Sequence, residues 1–131
     1  MILVDSSVWI PFFNAQQNPK VNVLKGLIED AEDVCITVHI MMEILQGFRE
    51  DKEFQEVNRY LQMFSIIDLK GVSSYIAAAQ IYRQCRKQGI TIRRGMDCMI
   101  AQTAIENGLI LLHDDADFDR IAAVQSLQLY K

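Results

Sequence analysis

The feature that most constrains this chain is a four-residue apolar run, Leu109 to Leu112, that follows Asn107-Gly108 and ends in His113, Asp114, Asp115, Asp117 and Asp119. Such a run is too short for a helix and lacks the alternation of a half-solvated strand. It predicts a strand covered on both faces, which is the habit of parallel sheets. Asn107-Gly108 supplies the left-handed residues that stop the preceding helix. That helix starts near Gly95 and puts Asp97 on the same face as Ala101, Ala104 and Gly108, at the head of a packing stripe. One carboxylate therefore leads into a buried strand, and a cluster of them leaves it.

A second run of this kind, Met1 to Val4, ends at Asp5, and Asp5-Ser6-Ser7 is the turn expected to cap a helix over VWIPFF. Pro19 to Ala31 predicts a helix with Val23, Leu24, Leu27 and Ile28 inward, and Val34 to Thr37 a strand whose last residue caps the next helix. From Val38 to Phe48 the apolar residues Ile40, Met41, Ile44 and Phe48 form a stripe, with Glu43 at its edge, half in and half out. Asp51 to Phe64 predicts a helix with Phe54, Val57, Leu61 and Phe64 inward, and Ser65 to Leu69 a strand. Ser73 or Ser74 is expected to cap a long helix, Tyr75 to Gln88, that buries Ile76, Ala79 and Tyr82 and ends at Gly89. A short helical turn over Asp119 to Val124 and a strand over Leu127 to Tyr130 close the chain. Strands alternating with helices predict an α/β sandwich with a mainly parallel sheet and right-handed connections.

With 131 residues, half of them apolar, and no repeat or low-complexity run, residues 1 to 131 are expected to form a single domain around one core. No apolar stretch approaches the roughly 20 residues needed to span a bilayer, and the apolar start has no basic leader and carries Asp5 within it. A cytoplasmic protein with no membrane role is the expectation. Cys35, Cys85 and Cys98 are unpatterned, which suits buried thiols in a reducing compartment better than a disulfide or zinc site. A net charge of −4 argues against a broad nucleic-acid footprint. Its distribution is uneven: residues 69 to 96 contain no acid, and Arg83, Arg86, Lys87, Arg93 and Arg94 crowd its second half. That strip reads equally as a solvated helix face or as a set of phosphate contacts, with Arg86, Arg93 and Arg94 the candidates.

In open parallel sheets, sites lie beyond the carboxyl ends of the strands. Two strands here end in acids, at Asp5 and at Asp115 or Asp117, while Asp97 opens the helix before the second strand. If those strands are neighbours, the three carboxylates share a crevice that Glu43 can reach. Acids packed so closely repel and raise one another's pKa unless a cation neutralises them. Mg²⁺ suits such a site, Mn²⁺ tolerates it, and either activates water and stabilises the oxygens of a displacement at phosphorus. Each acid also has a structural alternative. Asp5 can cap a helix, Asp97 can favour a helix N-terminus, Glu43 can lie at the surface, and residues 114 to 119 can form a capping loop. Those alternatives do not explain why all four fall where a parallel sheet puts its site. His39 and His113 lack ligand spacing and read as structural, and Trp9, Phe12 and Phe13 sit at core spacing.

VDSSVWI near the start, MEILQG around Glu43, DCMIAQTA from Asp97 and LLHDDADFDRIA from Leu111 together resemble the four signature segments of PIN-domain proteins, in the family's order and across the whole chain. More narrowly, they are similar to the VapC-type toxins of toxin–antitoxin pairs. The resemblance implies an endoribonuclease dependent on Mg²⁺ or Mn²⁺, built on a three-layer α/β/α sandwich with about five largely parallel strands. It also implies a homodimer, an RNA substrate, and a cognate antitoxin through which alone DNA would be contacted. Carried over residue by residue, Asp5 and Asp97 match the family's most regular metal ligands, Glu43 its helical acid, and Asp115 and Asp117 its fourth acidic segment. Ser6 and Ser7 match the hydroxyl positions after the first acid, where they would orient that carboxylate or a phosphate. The extra acid Asp114 leaves the order within the fourth segment open, and Asp115 is ranked before Asp117.

Two other classes compete. An aspartyl-phosphate enzyme or receiver also places Asp after a strand, but Ser7 stands where its second Asp belongs and no Lys ends a later strand. A non-catalytic, metal-stabilised module that binds an antitoxin and tunes its DNA binding needs the same fold without the cleavage.

Overall fold

In the computed structural model, which describes residues 1–131, the two apolar runs that end in aspartate lie side by side. Strand β1 (Ile2–Val4) pairs in parallel with β4 (Ile110–Leu112), Val4 opposite Leu112, and the Asp5 N–H donates to the Leu112 carbonyl at 2.9 Å. Strands β2 (Val34–Thr37), β3 (Ser65–Ile67) and β5 (Gln128–Leu129) complete a five-stranded sheet, ordered β3-β2-β1-β4-β5 and parallel throughout. Leu3, Val4, Cys35, Ile36, Leu111 and Leu112 are wholly buried, as expected for central strands covered on both sides.

The chain steps outward from β1 to β3 through α1 (Ser6–Phe13), α2 (Pro19–Glu29), α3 (Val38–Leu45) and α4 (Asp51–Leu61). It then crosses to the other half of the sheet through α5 (Val72–Lys87) and α6 (Gly95–Asn107) to β4, and on to β5 through α7 (Ala116–Ala122). Because the two halves are traversed in opposite directions, right-handed connections put the two helix sets on opposite faces. Accordingly, α1 packs on α2 and α3, and α5 packs on α6 and α7. The architecture is the three-layer α/β/α sandwich expected from the sequence.

Local chemistry starts and stops these elements. Asp5, Asn18, Thr37 and Asp115 each accept a backbone N–H as N-caps of α1, α2, α3 and α7, and Pro19 opens α2. Gly108 ends α6 at φ 63°, a left-handed turn that leads straight into β4. Trp9 is fully buried, stacked on Phe13 at 5.7 Å and edge-on to Phe12 and Phe64, so these rings serve packing.

Several expectations need correction. α5 begins at Val72, one turn before the expected start, so neither Ser73 nor Ser74 caps it. Its buried face is Ser74, Ala78, Ile81 and Cys85, while Ile76 is 59% exposed, Ala79 is exposed and Tyr82 only half-buried. The physical reason is the close approach of α6. A face on which Ser74, Ala78 and Cys85 are small lets the helices meet around Ile81, and the Ser74 hydroxyl donates to Glu106 at 3.1 Å. α3 ends at Leu45 in a Gln46-Gly47 turn, and α4 is anchored at its end by Leu61, leaving Phe54 exposed. β3 stops at Ile67, and β5 is confined to Gln128–Leu129. α7 starts at Ala116 because Asp115 takes the cap, which makes Asp117 and Asp119 first-turn acids.

Candidate active site

The sheet order reverses between β1 and β4, and the crevice beyond their carboxyl ends is where such sheets hold ligands. Asp5 follows β1 directly and is wholly buried. Its Oδ2 accepts the Ser7 N–H at 3.0 Å, and the Ser7 hydroxyl in turn accepts the Asp114 N–H at 2.9 Å. Ser7 thus ties the β1–α1 turn to the acidic segment after β4. Ser7→Ala is expected to cost about 1 kcal/mol by freeing that N–H, read as a lower midpoint in urea unfolding.

Arg94, just before α6, gathers acids from three other points of the chain. Its guanidinium donates to Glu43 Oε2 on α3 at 3.0 Å and to Asp97 Oδ1 in the first turn of α6 at 3.0 Å, and lies 3.5 Å from Asp115 Oδ2. Burial raises the pKa of Asp5 against the pull of the Ser7 hydrogen bonds. Burial and the Asp5 charge together raise Glu43. Burial, opposed by Arg94 but reinforced by Asp5 and Asp115, pushes Asp97 up to about 6. Asp5 is therefore close enough to both Glu43 and Asp97 to oppose their ionisation.

A second layer stands behind this one. Asp115 Oδ1 accepts the Asp117 N–H and, at 2.9 Å, the Arg93 Nη2. Asp117, wholly buried, accepts the Arg93 backbone N–H and Nε, each at 3.2 Å, and is paired with Arg120. Burial alone would raise the Asp117 pKa, but these donors outweigh it and hold the carboxyl below its usual range. His113 accepts the Asp115 N–H at Nδ1, which puts its ring proton on Nε2, facing Asp119 at 3.4 Å. Burial lowers its pKa, so it is a neutral wall of the segment.

The structure thus brings Asp5, Glu43, Asp97 and Asp115 around one guanidinium and sets Asp117 behind them. Arg93 and Arg94 are turned onto carboxylates, whereas Arg86 lies exposed over the Tyr82 ring at 5.6 Å. As the side chains stand, no three acids, histidines or cysteines form a ready-made metal group. Yet Asp5 Oδ1, Glu43 Oε1 and Asp97 Oδ2 are buried with no hydrogen-bond partner. Orphaned carboxylate oxygens are costly to bury, and three on neighbouring acids make a donor set that fits a hard divalent cation. Sequence reasoning missed Arg120, although its i,i+3 spacing from Asp117 on one helix was an available signal.

The PIN domain family model matches residues 2–124. VapC ribonuclease Mb1587 of Mycobacterium bovis and ribonuclease VapC11 of Mycobacterium tuberculosis are each 37% identical to the chain over 129 residues, covering 98% of it and 96% of their own length. Among solved structures, VapBC2 from Rickettsia felis, bound to a DNA fragment from their promoter, superposes with a TM-score of 0.77 at 19% identity, covering 99% of this chain and 98% of that one. FitAcB from Neisseria gonorrhoeae gives 0.73 at 21% identity over 100% and 97%. At those identities the two structures speak for the fold.

Proposed function

The chain belongs to the PIN-domain family, among the VapC ribonucleases, and on that premise we propose that it is the endoribonuclease toxin of a toxin–antitoxin pair, cleaving RNA with Mg²⁺ or Mn²⁺. The observation that carries the metal reading is the set of buried, unpartnered oxygens on Asp5, Glu43 and Asp97. Asp5, Glu43, Asp97 and Asp115 would hold the ion. When bound, a divalent cation lowers the pKa of water and offsets charge on phosphoryl oxygens.

The chain's own residues do the rest. Ser7 and the α1 cap fix Asp5 in one rotamer, with Ser6 buried beside it, so the first acid is held before any ligand arrives. Asp117 has donors on both oxygens and is assigned to holding Arg93 and Arg120, and through them the acidic wall. Arg93 and Arg94 stand on the acids of the crevice and would serve as phosphate contacts, and Arg86, over the Tyr82 ring and with no carboxylate partner, would extend that basic strip along α5. An antitoxin partner, DNA contact only through it, and a homodimer belong to the same reading. No helix is long and apolar enough to cross a membrane.

The test is incubation of purified protein with a mixed RNA pool and Mg²⁺ or Mn²⁺, followed by mapping of the cut ends. Cuts that vanish with EDTA are the expected result. Folded, metal-binding protein that leaves even total cellular RNA intact would overturn the nuclease in favour of a module that only binds an antitoxin.

A further inference from the structure

Arg94 is unusual in how it is used. It occupies the N-cap position of α6 but makes no capping side-chain bond. Instead its guanidinium faces acids from three separate segments, and two of them, Glu43 and Asp97, keep their second oxygen buried and unpartnered. Its neighbour Arg93 is the contrast, since the Asp117 it holds has donors on both oxygens. One positive charge is thus shared among Glu43, Asp97 and Asp115, with the buried Asp5 beside them, and it leaves the cluster under-neutralised. A guanidinium cannot relieve crowding by losing its proton. It can only move, and the Arg94 side chain is 46% exposed, so the way out to solvent is open.

We infer that Arg94 is a built-in counter-ion of the acid cluster, seated on Glu43, Asp97 and Asp115 in the metal-free protein and displaced when a divalent cation enters. This rests on the metal reading of the acid cluster. The carboxylate oxygens that Arg94 holds belong to the same groups that would face the cation, so guanidinium and metal compete for the same acceptors. Metal entry therefore proceeds by exchange of one cation for another, and the chain itself raises the metal concentration it requires. Once released, the guanidinium stands at the rim with its fork of donors free for a phosphate.

The experiment uses the full chain, wild-type and Arg94→Gln, with Mn²⁺ binding followed by calorimetry and the arginine Nε–H resonances followed during Mg²⁺ titration. Removing a competitor held by charge-assisted hydrogen bonds is expected to tighten Mn²⁺ binding at least about tenfold. In the wild type, the Arg94 resonance, identified by its loss in Arg94→Gln, is expected to shift in step with Mg²⁺ binding while that of Arg93 stays. Unchanged affinity overturns the inference alone. So does tighter binding with an unmoved Arg94 resonance, which would reduce Arg94 to a distant charge. If Arg94→Gln fails to fold, loss of the resonance in Arg94→Lys identifies it instead, and the wild-type titration then decides. Failure of both proteins to bind either ion overturns the metal reading and the inference with it.

Discussion

In Asp97→Asn, RNA cleavage is expected to fall at least about a hundredfold, since even outer-shell changes around a metal cost about 10- to 100-fold. The metal-free protein is expected to become more stable at neutral pH. The two effects have one cause. Asp97 is wholly buried beside Asp5 and Asp115, and its pKa rises from 3.8 to about 6 on folding. Between those values the folded chain keeps a proton that the unfolded chain has released, so stability falls as pH rises through the window and the full penalty applies above it. Asparagine has no charge to desolvate and still offers an oxygen to Arg94. A shift of this size corresponds to at most about 3 kcal/mol. Urea unfolding in EDTA should show the mutant pulling ahead of wild type as pH climbs through that window. Added Mn²⁺ should close the gap by stabilising only the wild type. A mutant that is no more stable at neutral pH would mean that the folded site tolerates the Asp97 charge without a cation.

What the sequence disclosed and what it withheld divide along physical lines. β1, β2 and β4 were legible because short apolar runs between turn residues have few other uses, and the caps Asp5 and Thr37 announced the helices behind them. The buried face of α5 was not. Its stripe of small residues and its stripe through Ile76 have the same period, and only contact with α6 selects between them. The four acids of the crevice come from four segments, each with an ordinary alternative. Their meeting depends on β1 lying beside β4, a matter of strand order that no local pattern encodes. The arginines were harder still. Arg93 and Arg94 sit in an acid-free strip of sequence, yet Arg94 reaches Glu43, 51 positions earlier, and Arg93 reaches Asp117, 24 positions later. Composition along the chain offered a solvated face or a set of phosphate contacts, whereas the fold turned both side chains onto carboxylates.

Asp117→Asn is expected to behave in the opposite way to Asp97→Asn, losing stability rather than gaining it. Asp117 is buried with donors on both oxygens: the Arg93 backbone N–H and Nε on one, Arg120 on the other. An amide in its place turns one acceptor into a donor facing an arginine and strands a charge-assisted bond. Breaking a deeply buried pair costs about 3–5 kcal/mol, but solvent screens this one, so about 2–3 kcal/mol is expected. That screening is large: the Arg93 and Arg120 side chains are 68% and 51% exposed. The pH dependence has the reverse sign too. A carboxyl held below 3.8 lends stability that is fully present above that value and is lost as pH falls through its folded-state pKa. Asp117→Asn should therefore lack that part of the wild type's acid unfolding. Cleavage by the folded mutant should drop by only about tenfold, as for an outer-shell residue, against about a hundredfold or more for Asp115→Asn. Urea unfolding and cleavage rates measured on the two mutants together separate their roles. An Asp117→Asn protein of unaltered stability and no activity, beside an active Asp115→Asn, would exchange the two aspartates and make Asp117 the fourth acid of the site.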